Sequence, residues 1–201
     1  MLNDPGPNTL FVHAAGVSIA GRLVLLVGPS GSGKSTLTAL VLVRGNTMLG
    51  DDVLRFSTVP AVFESVPRAV KLDDKSLALI DMRMSNSHSS KPGMYLAAST
   101  TYVSPVAFRT EWECAPGRPW AVVVLEAPPH TGPAGLERCG EGEAAVRLIQ
   151  SVLGAAHRSA EGAGPEARVR LLESLRDAVA YQARGADPTA LADLIEREAR
   201  A

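Results

Sequence analysis

The sequence predicts an α/β fold, with parallel strands flanked by helices around a phosphate-binding loop, and three observations predict it. Gly28-Pro29-Ser30-Gly31-Ser32-Gly33-Lys34-Ser35 satisfies the G-x-x-x-x-G-K-[ST] pattern in full. That pattern lies between the apolar run Leu23 to Val27 and a segment with apolar residues at helical spacing, Leu37, Leu40, Val41 and Val43. A second continuous apolar run, Ala121 to Leu125, precedes another stretch of helical period. Runs of this kind belong to strands covered on both faces.

The elements follow in chain order. Asp4-Pro5-Gly6-Pro7-Asn8 is turn chemistry, so residues 1–9 read as a flexible lead-in. Leu10 to Ala14 and Val17 to Ile19 read as strands. A turn at Ala20-Gly21-Arg22 makes the segment Val17 to Val27 an antiparallel hairpin that ends in the loop. The helix after the loop stops at Gly45, a natural C-terminal cap residue, and "NTMLGDDVLRF" turns back into a short strand ending in Asp51-Asp52. Between Pro60 and Gly117, "VPRAVKLDD", "SLALIDMRM", "MYLAAS" and "TYVSPVAF" read as short strands, with "SNSHSSKPG" as a mobile polar loop. After Ala121 to Leu125, a helix is expected through Val146, Ile149, Val152 and Leu153. Two further helices are expected to start at Pro165 and at Asp187-Pro188, where Asp caps and Pro occupies the first turn. The organisation is thus a phosphate-loop core over 10–157 and a helical C-terminal extension over 158–201. No internal repeat is evident.

Composition excludes several function classes. The chain has 201 residues, of which 46% are hydrophobic and 20% charged, ordinary values for one globular domain with an appendage. With 20 Lys+Arg against 21 Asp+Glu, the formal charge is -1, so no net field gathers nucleic acid or an acidic membrane surface. Aromatic residues, at 4%, are too few and too scattered to stack bases. Cys114 and Cys139 sit in no metal-ligand spacing, and neither a secretory leader nor a membrane-length apolar run is present. The sequence reads as soluble and cytoplasmic, with no nucleic-acid or membrane partner.

Each part of the loop has a chemical reason. Its glycines let successive backbone N–H groups curl around phosphate oxygens, the contact segment running Gly28, Pro29, Ser30, Gly31, Ser32, Gly33, Lys34, Ser35 and Thr36. Lys34 brings a point charge to the β and γ phosphates, the Ser35 hydroxyl can ligate Mg²⁺, and the helix N-terminus adds partial positive charge. ATP and Mg²⁺ are the implied cofactors. In a parallel sheet, Asp51 and Asp52 at the end of a strand next to the loop would face the same crevice. One carboxylate would hold Mg²⁺ and the other would accept a proton from an attacking hydroxyl. The alternative is a solvated Asp-Asp turn. His13 precedes the hairpin and can reach the crevice to orient an aspartate or bind phosphate; the alternative is a satisfied core or edge histidine. Arg68, Lys71, Arg83, Lys91, Arg109 and Arg118 are candidates for the cation that meets the transferring phosphoryl group, and His88, His130 and His157 are assigned no role.

The run "FVHAAGVSIAGRLVLLVGPSGSGKSTLTALVLVRGNTMLGDD" resembles HPr kinase and its short relatives, including the kinases that phosphorylate serine in lasso-peptide precursors. His13, Gly28 to Ser35, Asp51 and Asp52 carry the resemblance. It implies a phosphate-loop core of HPr-kinase / PEP-carboxykinase type. It further implies transfer of the γ-phosphoryl group of ATP to a serine hydroxyl on a peptide or small protein, and a possible homo-oligomer. It makes Asp51 the general base, Asp52 a Mg²⁺ residue with Ser35, and His13 the support of the carboxylate, with the two aspartate roles open to exchange. The Glu-Ile-Arg-Gly segment of bifunctional HPr kinases is matched only by "IDMRM", where Asp81 and Arg83 echo it without the glycine. Two other readings stay open: a small-molecule kinase with the same phosphate site, and an ATP-binding switch or ATPase module. Against a transporter ATPase, the chain has no "LSGGQ"-like segment and no apolar strand ending in Asp-Glu.

Overall fold

The computed structural model describes residues 8–80, 94–97, 100–108, 110–127, 131–153 and 164–201. Twelve strands and six helices are assigned among these residues. In chain order they are β1 (Thr9–Val12), β2 (Ala15–Ile19), β3 (Arg22–Val27), α1 (Lys34–Val43), β4 (Thr47–Gly50), β5 (Leu54–Thr58), β6 (Ala61–Glu64), β7 (Val70–Leu72) and α2 (Asp74–Leu79). There follow β8 (Met94–Ala97), β9 (Thr100–Val103), α3 (Pro105–Phe108), β10 (Ala121–Leu125), β11 (Gly135–Arg138), α4 (Glu141–Gln150), α5 (Pro165–Glu173), β12 (Val179–Arg184) and α6 (Pro188–Arg200).

A six-stranded mixed sheet, in the order β11-β12-β10-β3-β2-β4, is the frame. Its middle is parallel: β10 runs beside β3, with Ala121 opposite Val24, and beside β12, with Ala121 opposite Val179. The tight turn at Ala20-Gly21 folds β2 back on β3, and β4 pairs antiparallel with β2. Two small antiparallel sheets, β1-β5-β6 and β7-β9-β8, pack alongside.

The continuous apolar runs are explained by burial on both faces. Alternate residues of β3 and β10 enter different cores. Val24, Leu26, Ala121, Val123 and Leu125 meet Leu37, Leu40 and Val41 of α1 and Leu191 and Ile195 of α6. Leu23, Leu25, Val27, Val122 and Val124 meet Leu10, Phe56, Phe63, Leu148 of α4 and Leu171 of α5. Each strand therefore stabilises two layers at once.

Several expectations are corrected. Asp51-Asp52 does not follow a strand next to β3, because the hairpin strand β2 lies between β3 and β4. Two antiparallel steps nevertheless leave β4 pointing the same way as β3, so both strands end at one edge of the sheet. "SLALI" is helical rather than extended: Asp73 accepts the N–H of Ser76 and caps α2, a local signal that outweighs the apolar pattern. The expected face of α4 is shifted, since Val146 is exposed and the helix buries Ala144 and Leu148 before ending at Gln150. In α1, Val43 is likewise exposed. The C-terminal region is not purely helical: Val179–Arg184 is β12, an inner strand beside β10. The helix starts at Pro165 and Pro188 are as expected, and Asp187 accepts the N–H groups of Thr189 and Ala190. The "SNSHSSKPG" loop, Asp81, Arg83, Lys91, Arg109, the histidines 88, 130 and 157, and the proposed boundary at 157/158 lie outside the described residues.

Candidate active site

Sheet topology assembles the site at one edge, where β3 and β4 end and β2 begins. Ala15 lies opposite Leu26 and Gly16 opposite both Leu25 and Gly50, so His13, Gly28 and Asp51 leave the sheet on the same side. His13 is fixed from the other direction as well. Its backbone N–H donates to Ser151 at 2.7 Å, and Leu153 donates to Phe11 at 2.8 Å, tying this segment to the end of α4.

Two glycines show why the loop needs its composition. Gly33, directly before α1, has φ 92°, a left-handed conformation that a side chain disfavours. At Gly28 the constraint is space: a Cβ would stand 2.7 Å from Ser32 Oγ and 2.8 Å from the Leu125 carbonyl oxygen. The loop is thereby pressed against the end of β10. Lys34 turns into it, its ammonium donating to the carbonyls of Gly28 at 2.7 Å and Pro29 at 2.9 Å. Burial lowers the Lys34 pKa, opposed by the negative charges of Asp51 and Asp52. Next along the helix, the hydroxyls of Thr36 and Ser76 are hydrogen-bonded at 2.7 Å, which joins α1 to α2.

The adjacent aspartates occupy opposite environments. Asp51 is fully buried, and neither of its carboxylate oxygens completes a hydrogen bond. Burial pushes its pKa up to about 6. The nearby Ser35 hydroxyl, which falls short of a well-formed hydrogen bond, opposes this, as do the Lys71 N–H and the Lys34 charge, whereas Asp52 adds to it. Asp52 takes φ 71°, a conformation Asp tolerates better than most residues, and this reversal swings its side chain away from that of Asp51. Asp52 Oδ1 lies 3.2 Å from His13 Nδ1, and Oδ2 accepts from Arg68 at 3.0 Å. The hydrogen bond from His13, then the charges of His13, Arg68 and Lys34, hold its pKa below the usual carboxylate range. One carboxylate is thus poised to take a proton near neutral pH, while its neighbour is held ionised.

The structure accordingly brings together His13, the loop residues Gly28 to Thr36, Asp51 and Asp52. Among the cation candidates it places Arg68 on Asp52, whereas Arg118 is exposed and lines neither cleft beside the loop. One of these clefts, of about 480 Å³, runs from His13, Gly28 and Pro29 to Glu126, Arg147 and Gln182. The other, of about 220 Å³, opens beside Gly31 to Gly33 on the far side of the loop. Glu126 lines both, at the C-terminal end of the strand next to β3, and accepts from Gln182 at 3.3 Å. Sequence reasoning missed it, although a carboxylate directly after the run Ala121 to Leu125 was a signal that could have found it.

The residues fit a magnesium–nucleotide complex. Asp52 is held ionised by His13 and Arg68 at the edge where Ser35 and the loop also stand, and at Gly28 a Cβ would collide with Ser32 Oγ and the Leu125 carbonyl, so the backbone there is left open to a phosphate. No group of three or more His, Cys, Asp or Glu among the described residues is arranged to hold a metal ion. No helix among these residues is long and apolar enough to cross a membrane.

Comparison with known proteins gives a local match. The HPr kinase/phosphorylase of Bordetella avium (strain 197N) is 35% identical over 79 residues, covering 37% of this chain and 26% of that protein. Those of Bordetella pertussis and Bordetella bronchiseptica match with the same identity and coverage. The chain therefore matches about a quarter of the length of these curated relatives, 26%. No protein-family model matches. Among solved structures, the Hpr(Ser) kinase/phosphatase from Coxiella burnetii aligns with 94% of this chain and 93% of that chain, at 14% identity and a TM-score of 0.42. The stretch shared with the Bordetella proteins supports an HPr-kinase-like family for this chain.

Proposed function

We propose that this chain is an ATP- and Mg²⁺-dependent kinase of HPr-kinase type that phosphorylates a serine hydroxyl on a peptide or small protein. The observation that carries the reading is the placement of two differently tuned carboxylates, Asp51 and the His13-bound Asp52, beside Lys34 of a complete phosphate-binding loop. Lys34 exchanges its two loop carbonyls for phosphate oxygens, so its charge is presented without being stripped bare first. Asp51, with its proton affinity raised towards operating pH, would accept the proton of the acceptor hydroxyl as that oxygen bonds to the γ phosphorus and the bond from the γ phosphorus to the β–γ bridging oxygen breaks, releasing ADP. Ser35 and Asp52 would hold Mg²⁺, since each Asp52 carboxylate oxygen keeps a second lone-pair site beside its bond to His13 or Arg68. When bound, Mg²⁺ neutralises charge on the β and γ phosphate oxygens. His13 fixes the direction of Asp52 and keeps it ionised.

A second reading, a small-molecule kinase, is favoured by the 480 Å³ cleft at His13, which falls in the size range of small-ligand sites. One assay separates the two. Purified protein, Mg²⁺ and γ-labelled ATP are added to a lysate of the source organism, and the products are separated by size. Label in a peptide or protein band supports the serine kinase, and label in small molecules alone supports the second reading. Label left in ATP or released as phosphate refutes both.

A further inference from the structure

Thr36 is the last residue of the phosphate-binding segment, and it lines the smaller cleft together with Gly31, Ser32 and Gly33. Its hydroxyl is already engaged. Thr36 Oγ1 and Ser76 Oγ lie 2.7 Å apart between α1 and α2, and no other hydrogen bond among the described residues joins these two helices. We infer that this contact is autoinhibitory: α2 holds the Thr36 hydroxyl in a state that competes with the phosphates of the nucleotide, so filling the loop and seating α2 oppose each other. The inference rests on the phosphate-loop part of the kinase reading.

Counting hydrogens gives the reason. Each hydroxyl has one hydrogen to donate. Ser76 is buried and turns two groups towards Asp73: its hydroxyl faces the carboxylate, and its N–H donates to Oδ1 at 2.8 Å. The hydroxyl first, then the N–H, hold the Asp73 pKa below the usual carboxylate range, and the charge of Lys75 acts in the same direction. Asp73 is therefore ionised and only accepts. With the Ser76 hydrogen directed at Asp73, the 2.7 Å bond carries the hydrogen of Thr36, and the relay runs from Thr36 to Ser76 to Asp73. Thr36 then offers only lone pairs to the cleft. An ionised phosphate oxygen offers only lone pairs too, so two acceptors meet.

A phosphate can recover the Thr36 hydrogen in two ways. Thr36 turns away from Ser76, which breaks the tie between the helices, or Ser76 redirects its hydrogen from Asp73 to Thr36, which takes a bond from the cap of α2. Both loosen α2. By thermodynamic linkage, release of α2 tightens phosphate binding by the same factor as phosphate loosens α2. The net value of one hydrogen bond sets that factor at about two- to tenfold.

The test measures the affinities of Mg²⁺–ATP and inorganic tripolyphosphate by calorimetry, on the whole chain and on variants, with urea unfolding of each. Ser76→Ala removes the acceptor of the Thr36 hydrogen, and Asp73→Ala removes the group that orients the relay. Each is expected to lower the stability of the fold and yet to tighten both ligands by about two- to tenfold. A purely structural contact would instead lose affinity with stability, and the second variant keeps the inference testable if the first fails to fold. Thr36→Val, which lacks the hydroxyl, is expected to weaken both ligands, and adding Ser76→Ala to it should then bring no gain. Affinity that falls or stays constant in both Ser76→Ala and Asp73→Ala overturns the inference, as does a gain that persists beside Thr36→Val. A gain with ATP but not with tripolyphosphate also overturns it, by placing the effect on the nucleoside. An unaltered chain that binds neither ligand refutes the kinase reading itself, a failure distinct from these.

Discussion

Asp51→Asn is expected to make the protein more stable and less active, and the stability gain has a definite pH window. The folded Asp51 carboxyl has a pKa of about 6 against an ordinary 3.8, so the folded state holds the proton more tightly than the unfolded chain. A raised folded pKa contributes stability that is fully present below 3.8 and lost as pH rises through about 6. The difference of about 2.2 pKa units, at roughly 1.36 kcal/mol per unit, makes the ionised residue cost about 3 kcal/mol above pH 6. An amide does not ionise, so the variant escapes that loss. Urea unfolding of both proteins from pH 4 to pH 8 isolates the effect, because titrating groups that do not interact with Asp51 cancel in the difference. The two unfolding free energies should converge near pH 4 and separate up to about pH 6, then run parallel with the variant ahead by about 3 kcal/mol. A constant difference across the whole range would refute the buried, strained carboxylate. A stable variant without transfer would also show that the site retains Asp51 for chemistry and not for folding.

Three further outcomes follow from the same geometry. Lys34→Ala should lower phosphoryl transfer by about a hundredfold or more, measured as turnover at saturating acceptor, because it removes a cation aimed at the transferring group. Gly28→Ala should destabilise the fold by about 1–3 kcal/mol in chemical denaturation, since its Cβ would collide with Ser32 Oγ and the Leu125 backbone, and it should weaken nucleotide binding measured by titration. Asp187→Ala should cost about 1 kcal/mol of stability with transfer unchanged per folded molecule, because it strips the N-terminal cap from α6 without touching the loop.

The parts of the fold written in local, strongly patterned sequence were legible. The phosphate loop declares itself by glycines at positions that a side chain strains, and β3 and β10 by runs that two-sided burial explains. The N-terminal cap at Asp187 and the proline at 165 gave two helix starts correctly. β12 was missed because "VAYQAR" is short and sits between two helix-rich segments, so its pairing with β10 is a long-range fact that no local window contains. α2 was missed for the opposite reason, since one capping side chain, Asp73, decided a stretch whose apolar residues fitted either period. At the site, the grouping of His13, Lys34, Asp51 and Asp52 could be anticipated, but the contrast between the aspartates could not. It arises from the φ reversal at Asp52 and from partners, His13 and Arg68, that lie far away in sequence. Glu126 escaped notice because its meaning depends on β10 lying beside β3, which is a property of the sheet.

Single-turnover transfer by Asp51→Asn, with nucleotide affinity determined on the same preparation, tests the central claim most directly. The account predicts a loss of about a hundredfold or more in transfer, with the dissociation constant for Mg²⁺–ATP within about threefold of that of the unaltered chain. Transfer at the unaltered rate would contradict the assignment of Asp51 as proton acceptor. Loss of nucleotide binding would contradict it in a different way, by making Asp51 a residue that holds the metal.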